Sequence, residues 1–328
     1  MRIKLFIYLF LAFVCRIGMA QQSPLYSQYI LNEFIINPAT AGNDGMTAIT
    51  LNGRKQWLGW KFAPENYSAS ISGRILKSPQ SFVAKRSGAR SQKKGPSGRV
   101  GLGGSVIVDR NGAMNKTSVS FTYAYHLPFH NSQLSMGLTF LANQFRIDDE
   151  FAEVVDPGDP LNGLIGSSTF SPDAGLGIDF SATKFHAGLA AYNLFQSPVK
   201  FGAESIDYRE LRLERHYYFL GTYKDKFQSK PEWQYEPSLV ARGTERFNGM
   251  IEASVRFIYM NEYWFGFSGR TTKDIIFLMG LKVDMFYFGY SFDYGFNDIA
   301  KLSYGSHEVV VAIKLGDNTR RYRYWERY

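Results

Sequence analysis

The residues able to do chemistry are few and scattered. His126, His130, His186, His216 and His307 fall in no H-E-x-x-H or paired-ligand spacing, so no zinc centre is indicated. His307, at the start of the last apolar run, reads as a hydrogen-bonded structural residue. Gly101-Leu102-Gly103-Gly104 resembles a phosphate loop only in its glycines: Val106 follows and no helical period begins there. Glycines facing a crowded interior explain the stretch better. Asp148, Asp149, Glu150, Asp156 and Asp159 gather flexible oxygens of the kind calcium takes, although a solvated acidic loop is the default reading. No Ser, His and Asp set presents itself as a catalytic triad, and no cofactor motif is found. The expectation is a protein without catalysis, metal or cofactor.

The pattern lies instead in the elements. From Met250 to Tyr294, four consecutive segments alternate with period two. Ile251, Ala253, Val255, Phe257 and Tyr259 share one face against Glu252, Ser254 and Arg256. Tyr263, Phe265 and Phe267 oppose Gly266, Ser268 and Arg270. Ile275, Phe277, Met279, Leu281 and Val283 oppose Asp274, Gly280 and Lys282. Phe286, Phe288, Tyr290, Phe292 and Tyr294 oppose Gly289, Ser291 and Asp293. Strand side chains point alternately to opposite faces, so each segment has one apolar and one polar or small face.

Each segment is close to the roughly 9–11 residues that carry a tilted strand across a bilayer. A soluble sandwich or soluble barrel would show the same alternation. Aromatics crowding the ends of the apolar faces (Tyr259, Tyr263, Trp264, Phe286, Tyr294) and small, polar opposite faces favour a membrane barrel with a wet or plugged lumen. Aromatic residues make up 16% of the 328-residue chain while mean hydropathy is slightly negative, a combination that suits alternating strands and not a helical membrane protein.

Arg2 and Lys4 precede an apolar run from Leu5 to Val14, and Gly18-Met19-Ala20 offers small residues for cleavage after Ala20. Residues 1–20 are therefore read as a secretory signal. Cys15, the single cysteine, lies within it; the mature chain is expected to be cysteine-free, and Phe13 and Val14 argue against a lipoprotein site. Losing Arg2, Lys4 and Arg16 takes the formal charge from +8 to +5. The remaining excess gathers in Lys77–Arg99 and in the tail at Arg320, Arg321, Arg323 and Arg327, read as a solvated loop and a frayed terminus and not as a nucleic-acid site.

Residues 21–45 keep no clean period and form an irregular N-terminal segment, periplasmic or plugging. Within it, Tyr26-Ser27-Gln28-Tyr29 followed by Asn37-Pro38-Ala39-Thr40-Ala41-Gly42 resembles the opening signature of the PorP/SprF family of type IX secretion system membrane proteins. Gln56-Trp57, Gly59 and Ala63-Pro64 are similar to the family's next block. Pro172 to Phe195 resembles its two Gly-rich strands, and Ser291-Phe292-Asp293-Tyr294 with Ser306-His307-Glu308 its closing blocks. The resemblance runs in order through nearly the whole mature chain. Ser23, where the family has an acid, and the long basic tail depart from it.

Strands are expected at Met46–Arg54, Tyr67–Leu76, Arg99–Asp109, Thr117–Tyr125, about Leu134–Phe140, two within Pro172–Phe195, Tyr217–Tyr223, Pro237–Ala241, the four above, and Glu308–Leu315. Arg146 to Phe170 and Gln196 to Glu214 read as long connections. This is an all-β, transmembrane outer-membrane β-barrel of about 14 antiparallel strands over residues 46–315, followed by a basic aromatic tail at 316–328. With both termini periplasmic, turns after even strands should be short. Leu127–Asn131, Ala182–Lys184, Met260–Glu262 and Asp284–Met285 obey; the basic loop and Thr272-Lys273 do not.

The resemblance implies a non-enzymatic component of type IX secretion in the bacterial outer membrane. Its partners would be secretion subunits, the C-terminal domain of a secreted surface protein such as a gliding adhesin, and lipid. Tyr26, Gln28, Tyr29, Asn37 and Pro38, with Gln56, Trp57, Ala63 and Pro64, are the candidate residues, either as a lumen plug or as a partner surface. Trp57, Trp60 and Phe62 suit an interfacial girdle or a binding patch. The competing function is a porin-like channel for small solutes; a secreted glycan-binding β-protein is a third.

Overall fold

A computed structural model describes residues 26–75, 99–148, 166–201, 212–246, 249–296 and 302–316. The signal region, the basic loop, most of the acidic loop and the basic tail lie outside the described residues.

Strands follow one another as meandering hairpins: β1 (Thr47–Lys55), β2 (Glu65–Ile75), β3 (Val100–Asn111), β4 (Met114–Pro128), β5 (Ser132–Ile147), β6 (Ser168–Ala182), β7 (Phe185–Tyr192) and β8 (His216–Tyr223). The short β9 (Asp225–Phe227) continues β8 after a break at Lys224, and both pair with β10 (Lys230–Thr244). Then come β11 (Gly249–Tyr259), β12 (Tyr263–Arg270), β13 (Asp274–Val283), β14 (Phe286–Gly295) and β15 (Ser306–Leu315). Every pairing is antiparallel, and β15 against β1 closes the sheet into a barrel of 14 crossings. Closure satisfies the edge strands that a bilayer would otherwise leave without hydrogen-bond partners. No described helix is long and apolar enough to cross a membrane.

The alternation sorts as expected from strand geometry. Leu51, Ile71, Val119, Phe121, Phe267, Ile275 and Val309 stand exposed on the outside, whereas Thr50, Asn52, Arg54, Ser268, Arg270 and Glu308 are buried inside. The apolar outer face is what lipid solvates, and the polar inner face is satisfied by the lumen.

Several boundaries differ from the sequence reading. β5 runs to Ile147 and β6 begins at Ser168, so the connection between them is shorter than the sequence suggests. Trp264 is not part of the outer girdle: it is buried inward with Leu31, Ile258, Tyr287 and Val310, because it sits at an even position between outward Tyr263 and Phe265. Tyr223, Tyr235, Phe227, Phe257, Phe265, Trp233 and Tyr259 form a run of ring contacts, Trp233 and Tyr259 at 4.8 Å between centroids. Val311→Arg, midway along the lipid face of β15, should cost about 2–4 kcal/mol, measured by urea unfolding in bilayers.

Candidate functional site: the lumen and its inner segment

Residues 26–46 do not lie outside the barrel but inside it. Two short 3₁₀ turns, Tyr29–Ile35 and Pro38–Thr40, fold the segment compactly. Asn37 caps the second by accepting from the Ala39 amide at 3.0 Å, with Pro38 at the first position, where a missing N–H costs nothing.

The segment begins near the end of the barrel carrying the connections 56–64, 193–215 and 296–305. There Arg54, Arg270, Asp293 and Glu308, all buried, converge on Ser27. The Ser27 and Gln28 amides donate to the Glu308 carboxylate at 2.7 and 3.1 Å. The Ser27 hydroxyl contacts Asp293 and accepts from Arg54 and Arg270, both at 2.8 Å. Arg54 bridges Asp293 at 2.7 Å and Glu308 at 3.2 Å; Arg270 bridges Asp293 at 2.8 Å and Glu252 at 2.5 Å. Each charge thus faces an opposite one, the condition under which buried ions are tolerated.

Further down, the Gln28 side chain donates to the carbonyls of Met279 and Tyr290, and the Tyr29 hydroxyl meets Ser238 and Ser254 at 2.8 and 3.1 Å. Asn37 donates to the Ile178 carbonyl at 3.0 Å, and Tyr192 to that of Ile35 at 3.1 Å. At the opposite end, Asn43 donates to Asp179 at 3.0 Å, Arg74 donates to the carbonyls of Gly42 and Asn43, and His126 donates to that of Ala41 at 3.0 Å. The barrel wall is shaped for this traffic. A Cβ at Gly137 would overlap the Pro38–Ala39 peptide, and one at Gly101 the Ala41 carbonyl.

The candidate residues therefore divide between two places. Tyr26, Gln28, Tyr29, Asn37 and Pro38 lie in the lumen, all but Tyr26 fully buried. Gln56, Trp57, Ala63 and Pro64 lie in the β1–β2 connection, where the Trp57 amide donates to Ser306 at 3.2 Å and Leu58 exchanges backbone bonds with Tyr304 and Gly305. Trp60 and Phe62 are exposed on that connection, beyond the Lys55–Glu65 ion pair that tops the outer face of β1 and β2. At the same rim, a hydrogen bond from Arg215 holds the Glu245 carboxyl below its ordinary range. His307 pairs with the Tyr290 hydroxyl at 2.8 Å on the outer wall. Among the described residues no group of His, Cys, Asp and Glu is placed to hold a metal ion.

The sequence reading missed the charges that hold Ser27. The available signal was the row of ionic residues at inward positions: Arg54, Glu252, Arg270, Asp293 and Glu308.

A closed barrel with a lipid-solvated exterior and a filled polar interior is an outer-membrane β-barrel. The profile of the type IX secretion system membrane protein PorP/SprF family matches residues 18–313, and the chain belongs to that family. No curated protein matches the sequence significantly. Similar solved structures include the Ralstonia pickettii toluene transporter TbuX, at 10% identity and a TM-score of 0.47, with 86% of this chain and 92% of that one covered. The P. putida toluene transporter TodX gives 8% identity and a TM-score of 0.45 over 86% and 92% of the two chains. BamA from Haemophilus ducreyi, lacking POTRA domains 1–3, gives 9% and 0.42 over 82% and 70%.

Glu308→Gln removes one partner of a buried ionic cluster and should cost about 3–5 kcal/mol. Glu65→Gln, at an exposed pair, should cost about 0–1 kcal/mol. Unfolding midpoints of the two variants check the contrast. Gly137→Val should leave a folded barrel with a displaced segment, read as new conductance in planar bilayers.

Proposed function

We propose that the protein is a docking component of type IX secretion, binding secretion subunits and the C-terminal domain of a secreted surface protein without transforming either. The observation carrying this reading is the occupied lumen. From Ser27 against Arg54 to Asn43 against Asp179, the inner segment fills the space a solute would cross. A porin-like channel would need that space open.

Residues 26–46 act as a built-in plug, and the working surface lies at the long-loop rim. With short turns facing the periplasm, as in bacterial barrels generally, the rim faces outward. Leu58, Trp60, Phe62, Leu302 and Tyr304 are exposed there, on two connections tied together by backbone hydrogen bonds. Because Trp60 and Phe62 lie beyond the Lys55–Glu65 pair, they suit a protein partner better than lipid.

Affinity purification from detergent-solubilised outer membranes tests the reading. Secretion subunits or a large surface protein should accompany the barrel, and Trp60→Ser with Phe62→Ser should reduce that protein at least severalfold. A barrel recovered alone, conducting ions with its segment intact, would favour the channel.

A further inference from the structure

Between the inner segment and the wall, below the long-loop rim, lies a cavity of about 110 Å³. That is of the order of the dry cavities that accept a single aromatic ring. Ile35, Ile36, Tyr192, Tyr218, Val240 and Met250 supply apolar surface. Phe145, at the level of the cavity's Lys116, packs under Val199, Phe201 and Leu213 of the β7–β8 connection.

Among the described residues, two polar atoms in this cavity, Lys116 Nζ and His216 Nε2, have no hydrogen-bond or ion-pair partner. Lys116 on β4 faces Asp109 across the strand pair, yet the Asp109 carboxylate is turned to the Asn66 amide. The Lys116 ammonium lies 5.6 Å from the Phe145 ring centroid, and no carboxylate of the described residues forms an ion pair with it. His216 Nδ1 lies 2.9 Å from the Glu214 carbonyl and 3.3 Å from the Asn193 amide nitrogen; in the tautomer that donates to the carbonyl, Nε2 carries a bare lone pair. That atom is buried and accepts nothing among the described residues. A buried acceptor without a donor is costly unless something completes it, and beside it stands an ammonium whose contact is the Phe145 ring.

We propose that this cavity captures the C-terminal residue of an extended peptide, with an apolar side chain in the hole, its carboxylate on Lys116 and its amide N–H on His216. The combination selects a chain terminus: an internal residue whose apolar side chain fills the hole has no carboxylate of its own, and a simple aromatic acid has no N–H. This rests on the docking reading, and it gives that docking a chemical address.

Calorimetric titration of the full-length protein in detergent with N-acetyl-Gly-Gly-Phe, its C-terminal amide and phenylacetate tests it. The free acid should bind at least roughly tenfold more tightly than the amide, as loss of a charge-assisted hydrogen bond requires. Phenylacetate should bind more weakly than the peptide acid. Lys116→Met should erase the acid-over-amide preference and Lys116→Arg should retain it. Equal binding of acid and amide, phenylacetate as tight as the peptide, or no binding at all would overturn the proposal. Retention of a client by Lys116→Met at wild-type level would overturn it too while leaving docking intact. Absence of any client from the wild-type protein would count against docking itself, and the peptide titration would still decide the cavity.

Discussion

Everything inside the barrel depends on a buried ionic cluster closing around one serine. Arg54, Arg270, Asp293 and Glu308 come from β1, β12, β14 and β15, and meet at Ser27. Stripped of Ser27, the arginines would lose a shared acceptor and Glu308 would lose one of its two backbone donors, keeping only the Gln28 amide. Stripped of the cluster, the upper end of the segment would keep only the uncharged bonds of the Gln28 and Tyr29 side chains to the wall. A buried ion pair is seldom a large net stabiliser, but a broken one is expensive, so such a cluster specifies one arrangement over others. Barrel closure supplies this specificity, because β15 must pair with β1 before Glu308 and Arg54 can meet.

The same logic runs down the lumen. Polar side chains of the wall (Arg74, His126, Tyr192) donate to backbone carbonyls of the segment, which has too little regular structure to satisfy its own groups. Small wall residues make room for it. The outer wall obeys another rule, apolar side chains toward lipid, and the two-residue period of a strand lets one sequence obey both.

That period made much of the fold legible. The stretch from Met250 to Tyr294 declared its strands because each had a continuous apolar face. β9 was hidden because Lys224 and Asp225 interrupt the alternation, and Asp225 is engaged by Lys184 across the turn. Trp264 was placed on the wrong side because aromatic character was read as interfacial, although its even position points inward. The lumen residues of the segment were picked out by resemblance alone, since an irregular stretch has no period to read. The ionic cluster stayed invisible for a different reason. Arg54 and Asp293 are far apart along the chain, and only the register of the closed sheet brings them to 2.7 Å.

On the docking reading, the segment stays fixed and the protein works by what it holds at its rim. Cross-linking tests this most directly. Asn43 and Ser181 lie side by side, with Nδ2 and Oγ 3.4 Å apart, and cysteines there can be joined by a short thiol-reactive linker. Surface delivery of the client, compared before and after linkage, should be unchanged if the segment stays in place throughout. Delivery that stops on linkage, and resumes when a cleavable linker is cut, would show that the segment must move and would contradict the fixed plug.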